Sequence, residues 1–212
     1  MRKYIIMGPQ GSGKGTQAKL LAQAFDLSHI SMGEIFRWHL ASQTKLAARI
    51  QHCMTSGRLV PDDTVEEVVR TRLDLHDWNH GFVLDGFPRT APQARFFLES
   101  YDVDAVILLS VREEVVKKRI LGRRLCDKCG QDFNIHFSPP KAEGVCDTCG
   151  GLLVAREDDT AEAIDRRLSE YRAKTEPIIE MFRKKERVID VLAEGDSYSV
   201  HQEIIQELER EE

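Results

Sequence analysis

The run Gly8-Pro9-Gln10-Gly11-Ser12-Gly13-Lys14-Gly15-Thr16 has the residue types of a phosphate cradle. Its glycines let the backbone curl tightly. The N–H groups at the start of a following helix point at an anion, and Lys14 adds a full positive charge. The run departs from the common G-x-x-x-x-G-K-[ST] pattern, because Gly15 stands where a hydroxyl residue is expected and Thr16 follows it. A second candidate is Asp85, which opens Asp85-Gly86-Phe87-Pro88-Arg89. A carboxylate at the end of a strand beside such a loop can hold Mg²⁺ through water, since that ion dehydrates reluctantly. Taken alone, an aspartate there caps a helix or forms a turn.

Zinc chemistry is the third possibility. Cys126-Asp127-Lys128-Cys129 and Cys146-Asp147-Thr148-Cys149 are two C-x-x-C pairs sixteen residues apart. That spacing can close a tetrahedral shell around zinc, with Gly130 and Gly150 permitting the turns. Four thiolates leave no open position, so the role expected is structural. A segment of under about 40 residues buries little apolar surface and needs a staple. The alternative is reduced cysteines packed as small hydrophobes, which is the expectation for Cys53 outside the cluster.

These groups need a frame to hold them. Tyr4-Ile5-Ile6-Met7 reads as a buried strand feeding the loop, and Gln17-Ala18-Lys19-Leu20-Leu21-Ala22 as the helix leaving it. His29-Ile30-Ser31 is a short second strand, with Ser31 capping the helix through Glu34 and Trp38. Residues from there to about 60 are helical and read as a small lobe. Pro61-Asp62-Asp63-Thr64 starts a helix over 65–75, followed by strands at 81–84 and 105–109 and a helix over 115–121. An insert covers 123–159. A helix over 160–174 then presents Ile164, Leu168 and Tyr171 on one side, ahead of a strand at 188–191 and a closing helix from 200. His76 and His80 are four residues apart, a spacing that could suit a metal, but Trp78, Asn79 and Gly81 make this stretch a helix end and loop. Strands separated by helical crossovers predict an α/β fold, a five-stranded parallel sheet flanked by helices as in the P-loop NTPases. Ligands of such sheets bind at the carboxyl ends of the strands.

Composition sets bounds on partners. The 212 residues are 42% hydrophobic and 31% charged, with a formal net charge of −5, which argues against a general nucleic-acid binder. No apolar run approaches the roughly 18 residues that span a bilayer, so no membrane partner is expected. Met1-Arg2-Lys3 leads straight into a short strand rather than a signal-peptide core, and the odd number of cysteines suits metal rather than disulfides. A cytoplasmic protein is expected.

With Gly8 to Thr16, Asp85 to Arg89, Gln93 and the later arginines in view, the sequence resembles the adenylate kinases over essentially its whole length. The resemblance implies transfer of a phosphoryl group from Mg·ATP to AMP by a monomer. It also implies a core (1–30, 61–121, 160–212), a nucleoside-monophosphate lobe (31–60) and a zinc-binding lid (122–159). Carried over, Gly11, Ser12, Gly13, Lys14, Gly15 and Thr16 wrap the ATP phosphates, and Asp85 and Thr16 hold Mg²⁺ through water. Arg119 lies along the ATP base, with further ATP contacts at Asp132, Phe133 and Ser197. Arg37 and Arg89 grip the AMP phosphate. Met32, Arg58, Leu59, Val60, Gly86, Phe87, Pro88 and Gln93 line the acceptor seat. Arg123, Arg156 and Arg167 converge on the phosphates in transit, oriented by Asp158 and Asp159, while Arg124 and Arg166 are surface or supporting charges.

The arginines have an independent rationale. Phosphoryl transfer passes through a loose transition state with charge spread over several oxygens, so the protein positions and neutralises. A guanidinium offers forked donors and stays charged when water is excluded. One departure touches the acceptor: Met32 stands where the family's adenylate members usually have threonine, and it can fill space but cannot supply a hydroxyl contact. Gln93 and Phe87 pull the other way, since the related pyrimidine kinases tend to carry asparagine and tyrosine there. The rival expectations are a kinase for UMP or CMP, and a non-catalytic zinc-ribbon module that binds ATP. The basic, aromatic-studded ribbon expected of a nucleic-acid-binding module is missing, because Asp127, Asp132, Glu143 and Asp147 interrupt it.

Overall fold

Apolar runs without helical period become strands buried on both faces. The computed structural model describes residues 2–74 and 80–210. The chain opens with β1 (Lys3–Met7), α1 (Lys14–Phe25) and β2 (Ser28–Ser31), then α2 (Met32–Ala41), α3 (Lys45–Ser56) and α4 (Asp62–Asp74). It continues through β3 (Phe82–Asp85), α5 (Ala91–Ser100), β4 (Ala105–Ser110) and α6 (Glu113–Leu121). The insert carries β5 (Arg123–Cys126), β6 (Asp132–Asn134) and β7 (Leu153–Val154), and α7 (Ala161–Glu170), α8 (Ile179–Arg183), β8 (Val188–Leu192) and α9 (Ser197–Glu209) complete the fold.

Five strands form one parallel sheet in the order β2-β3-β1-β4-β8. Alternate residues of each strand face opposite sides. Ile5 and Met7 therefore join Ile30, Leu84, Phe87, Phe97 and Phe182 in one core layer. Tyr4 and Ile6 join Leu21, Val83, Ile107, Val191 and Ile204 in the other. Both faces are covered, which explains why the strands read as unbroken apolar runs. The insert is a separate antiparallel sheet, β6-β5-β7. Ile135, Phe137, Val145, Leu152 and Val154 in this insert remain exposed, so it has almost no apolar core of its own. Among the described residues no helix is long and apolar enough to cross a membrane.

Local structure differs from the sequence expectation at several boundaries. The helical stretch before residue 60 is two helices, parted where Gln43 takes a left-handed φ of 49°. Helix α4 begins at Asp62 rather than 65. Helices α5 and α8 were not anticipated. The α-helical hydrogen bonding expected to 174 ends at Glu170, where a π-helical stretch (Tyr171–Thr175) and a 3₁₀ turn (Glu176–Ile178) lead into α8. Asp196 caps α9 by accepting from the N–H groups of Tyr198 and Ser199, so this helix starts ahead of residue 200. Leu75, His76, Trp78 and Asn79 lie outside the described residues. Cys53 is half-buried against the first core layer.

Candidate functional site

Strand register brings the candidate groups to one edge of the sheet. Asp85 is aligned with Ile6 on one side and Ser31 on the other, so the loop after Met7, Asp85 and the start of α2 share the carboxyl edge. Gly8 has φ 140°, and a β-carbon there would lie 2.5 Å from the Leu109 carbonyl oxygen. Gly13, at φ 98°, opens α1 with no side-chain cap and has nothing within 4 Å of the position a β-carbon would take. The first turn of α1 thus presents its N–H groups to open space, as an anion site requires. Inside the loop Ser12 is buried, and its Oγ and Gln10 Oε1 have no hydrogen-bond partner in the protein. Lys14 Nζ donates to the Gly8 and Pro9 carbonyls at 2.9 and 2.8 Å. Burial lowers its pKa to about 8, against the opposing pull of Asp85.

Hard oxygen donors sit beside this loop. Asp85 Oδ2 lies 3.6 Å from the position of a β-carbon on Gly15, and the Ser31 hydroxyl donates to it at 3.4 Å. Thr16 is exposed one residue further on. A carboxylate and a hydroxyl at the mouth of a phosphate loop fit Mg²⁺, which keeps most of its waters.

The arginines gather around two aspartates at the end of the insert. Arg123, the first residue of β5, forks Asp159 through Nε at 2.9 Å and Nη2 at 2.7 and 2.8 Å. Arg156 forks Asp158 at 2.9 and 2.7 Å. Arg167, on α7, donates to Asp158 Oδ2 at 2.7 Å and reaches the Met54 carbonyl on α3 at 3.1 Å. Burial alone would raise the Asp158 pKa, but Arg156 and Arg167 outweigh it and hold the group well below the usual carboxylate range. Burial also lowers the Arg156 pKa, and the Asp158 bonds overcome it.

Arg37 and Arg89 have weaker compensation. Burial, followed by repulsion from Arg156, brings Arg37 down to about 10. Arg89 is open to solvent within the cleft yet ringed by protein, and that enclosure lowers its pKa, with Arg167 adding to the shift and Asp85 opposing it. Its Nε donates to the Gly86 carbonyl at 2.8 Å. A cleft that crowds guanidinium groups until they yield protons more readily favours a ligand with several negative charges. Arg119 donates to the carbonyls of Ala193 (2.7 Å), Gly195 (3.2 Å) and Ser12 (3.4 Å), with its guanidinium 5.3 Å from the Phe137 ring centroid. It is therefore held beside the loop. Arg124 is half-buried and donates to the Leu121 and Arg123 carbonyls, and Arg166 is exposed.

On the other side of Asp85, Met32 and Phe87 are each 1% exposed, Val60 is buried, Leu59 half-buried and Arg58 exposed. Gly86 takes a φ of 80°, and the Phe87–Pro88 bond is cis. Gln93 is buried, donating through Nε2 to Asp62 Oδ1 at 2.7 Å and accepting the Arg89 N–H on Oε1 at 2.8 Å. Three expected ATP contacts have protein neighbours here. Asp132 pairs with Lys19 at 3.3 Å, Phe133 is half-buried in β6 opposite Arg124, and the Ser197 carbonyl accepts from Gln17 Nε2 at 2.8 Å.

All four cysteine sulfurs of the insert lie within 4.8 Å of one another. Cys126 and Cys149 are 3.4 Å apart, Cys129 and Cys146 3.6 Å. A zinc–sulfur bond of about 2.3 Å in a tetrahedron sets sulfurs about 3.8 Å apart, so the cluster fits structural zinc. The Cys129 N–H draws the Cys126 thiol down to about 6, while the neighbouring thiols push Cys129 and Cys149 up, so the case for zinc rests on the sulfur geometry.

Sequence reasoning missed four groups that organise the site. Lys19 pairs with Asp132 and also with Glu34 at 3.0 Å. Gln10 Nε2 donates to Asp159 at 3.4 Å, Thr175 Oγ1 to the Arg89 carbonyl at 2.8 Å, and Asp62 holds Gln93. Only Asp62 left a local trace, as a helix-starting residue after Pro61.

Comparison with known proteins agrees with this geometry. The family model described as Adenylate kinase matches residues 6–187. Similar curated proteins, each named Adenylate kinase, come from Clostridium tetani, Treponema denticola and Thermosipho africanus. The first is 46% identical over 186 residues, 85% of this chain and 86% of the relative. The second is 42% identical over 196 residues, 92% of this chain and 94% of the relative. The third is 41% identical over 211 residues, covering 97% and 99%.

Proposed function

The chain belongs to the adenylate kinase family, and we propose that it carries a phosphoryl group reversibly from Mg·ATP to AMP, giving two ADP, by positioning and charge neutralisation alone. The observation that carries this reading is the double fork of Arg123 on Asp159 and Arg156 on Asp158, with Arg167 joining the second. Guanidinium groups from the insert and from α7 are thereby aimed with fixed geometry, and their charge remains in excess of the two carboxylates.

The donor phosphates take the N–H groups of Gly11 to Thr16, and Lys14 turns from the Gly8 and Pro9 carbonyls to reach them. Asp85 and Thr16 would hold Mg²⁺, which supplies neutralisation of phosphoryl oxygens when bound. Arg119 lies along the donor base. Arg37 and Arg89 grip the acceptor phosphate, and the Arg58-Leu59-Val60 backbone with Gln93 reads its base. Arg123 and Arg156 ride on the two ends of the insert. Closing it over both nucleotides brings them inward and expels water, which would otherwise take the phosphoryl group. Lid motion is expected to limit turnover, and relaxation measurements showing chemistry slower than that motion would contradict this. The test is ADP formation from ATP with AMP, UMP, CMP or GMP. AMP should be the preferred acceptor, and a preference for UMP or CMP would move the assignment to the pyrimidine kinases.

Two further outcomes follow from the site. The lowered pKa of Lys14 belongs to the ligand-free enzyme, so it governs kcat/KM for ATP. Because the neutral amine no longer attracts phosphate, kcat/KM should fall above pH about 8, approaching tenfold per pH unit. In the same window the ligand-free fold gains stability, since the unfolded lysine binds its proton up to about 10.4 and the folded one does not. A pH profile flat to 9.5 would refute the role of Lys14. Met32→Thr restores a hydroxyl beside the acceptor seat and should lower KM for AMP by about threefold to tenfold. The shorter side chain leaves a gap in the core layer and should cost about 1 to 3 kcal/mol in denaturant unfolding. An unchanged KM would mean that the position does not meet the base.

A further inference from the structure

The amide of Gln93 is gripped at both ends by groups that cannot exchange roles. Its Nε2 donates to Asp62 Oδ1, and its Oε1 accepts from the Arg89 N–H. A carboxylate only accepts and a peptide N–H only donates, so turning the amide over would set oxygen against oxygen and N–H against N–H. Asp62 is fixed in turn by the Thr90 hydroxyl, which donates to the same oxygen at 2.8 Å while accepting the Gln93 N–H as the cap of α5. On the far side, Thr175 holds the Arg89 carbonyl. The clamp thus joins α4, the start of α5 and the π-helical stretch. It leaves the amide one N–H and one lone pair for any other partner.

We propose that Asp62 is a positioning residue that determines acceptor specificity, holding Gln93 in the one amide orientation that takes a 6-aminopurine and refuses a 6-oxopurine of the same size. The proposal rests on the AMP reading above, with Gln93 facing the acceptor base. Adenine offers an acceptor at N1 beside a 6-amino donor, which complements the remaining N–H and lone pair. Hypoxanthine offers a donor at N1 beside a carbonyl acceptor, the reverse pattern on nearly the same outline. An unrestrained glutamine would serve both by turning its amide. With Asp62 in place, inosine monophosphate meets N–H against N–H and oxygen against oxygen, and buried polar groups left so opposed discriminate strongly.

Asp62→Asn tests this, because asparagine keeps the shape but can present either an oxygen or an N–H, so a turned Gln93 amide is opposed by the Arg89 N–H alone rather than at both ends. The ratio of kcat/KM for AMP to that for inosine monophosphate should narrow by at least about tenfold, through the acceptor KM, with KM for ATP within about twofold of wild type. Asp62→Ala removes the acceptor outright and reads the same ratio should the asparagine variant not fold. Equal losses with both acceptors, or a ratio within twofold of wild type, would overturn the proposal while leaving the kinase reading intact. Wild-type protein that forms no ADP from AMP would overturn the kinase reading and this inference with it.

Discussion

Replacing Arg123 with methionine should lower kcat by about a thousandfold or more, with the KM of either nucleotide changed less than fivefold. A finger-type guanidinium is worth about 10³ to 10⁵ in rate, and a thousandfold corresponds to about 4 kcal/mol of transition-state stabilisation. Arg123 meets the requirement for such a group because Asp159 takes its Nε and Nη2 and fixes the plane of the guanidinium. The structural cost of the substitution is separable. The Asp159 side chain is 3% exposed and keeps a second cation, Arg167, 3.6 Å away, so it is not stranded without a counter-charge. Asp159→Asn supplies the complementary measurement. It keeps the guanidinium but loosens its aim, and should lose about tenfold to a hundredfold, less than removal of the charge itself. ADP production in a coupled assay, beside a thermal melt of each variant, reads both quantities. An Arg123→Met enzyme within tenfold of wild type in kcat would remove this residue from the transition state.

What could be seen in the sequence follows the range of the forces involved. The five sheet strands were legible because both of their faces are covered, so each is an apolar run bounded by turn residues. The loop from Gly8 to Thr16 and the paired cysteines were legible because their ligands lie close along the chain. Helix α5 was not, since its buried face is only Gln93, Ala94 and Phe97, too short for a clear period. Thr90 and Gln93 do stand at the spacing of a capping box, but the Gln93 side chain leaves the helix for Asp62, 31 residues back. Helix α8 is five residues long and follows Pro177, which conceals it as a turn. Pairings such as Lys19 with Asp132, 113 residues apart, leave no local mark at all. The pairing of Arg123, Arg156 and Arg167 with Asp158 and Asp159 follows from family resemblance and not from pattern, and in the structure the three arginines donate to these carboxylates.

Stripping metal from the cysteine cluster should melt the insert and leave the parallel core folded. Structural zinc supplies on the order of 10 kcal/mol, and little else holds these strands. Leu152 is 65% exposed and Val154 46%, and β6 and β7 are only three and two residues long. An exposed ion pair such as Lys19 with Asp132 contributes well under about 1 kcal/mol and cannot substitute. Cys146→Ser, or dialysis against a chelator, should therefore expose residues 122–159 to protease while the core's denaturant midpoint changes little. Activity should fall about a hundredfold or more, because Arg123 and Arg156 lie at the two ends of the insert and both lose their orientation with it. Metal analysis should give one zinc per chain, and re-addition should restore protease resistance and rate together. A chelated protein that keeps its resistance and most of its turnover would show that the three-stranded sheet stands without the metal, and that the arginines are aimed by Asp158 and Asp159 alone.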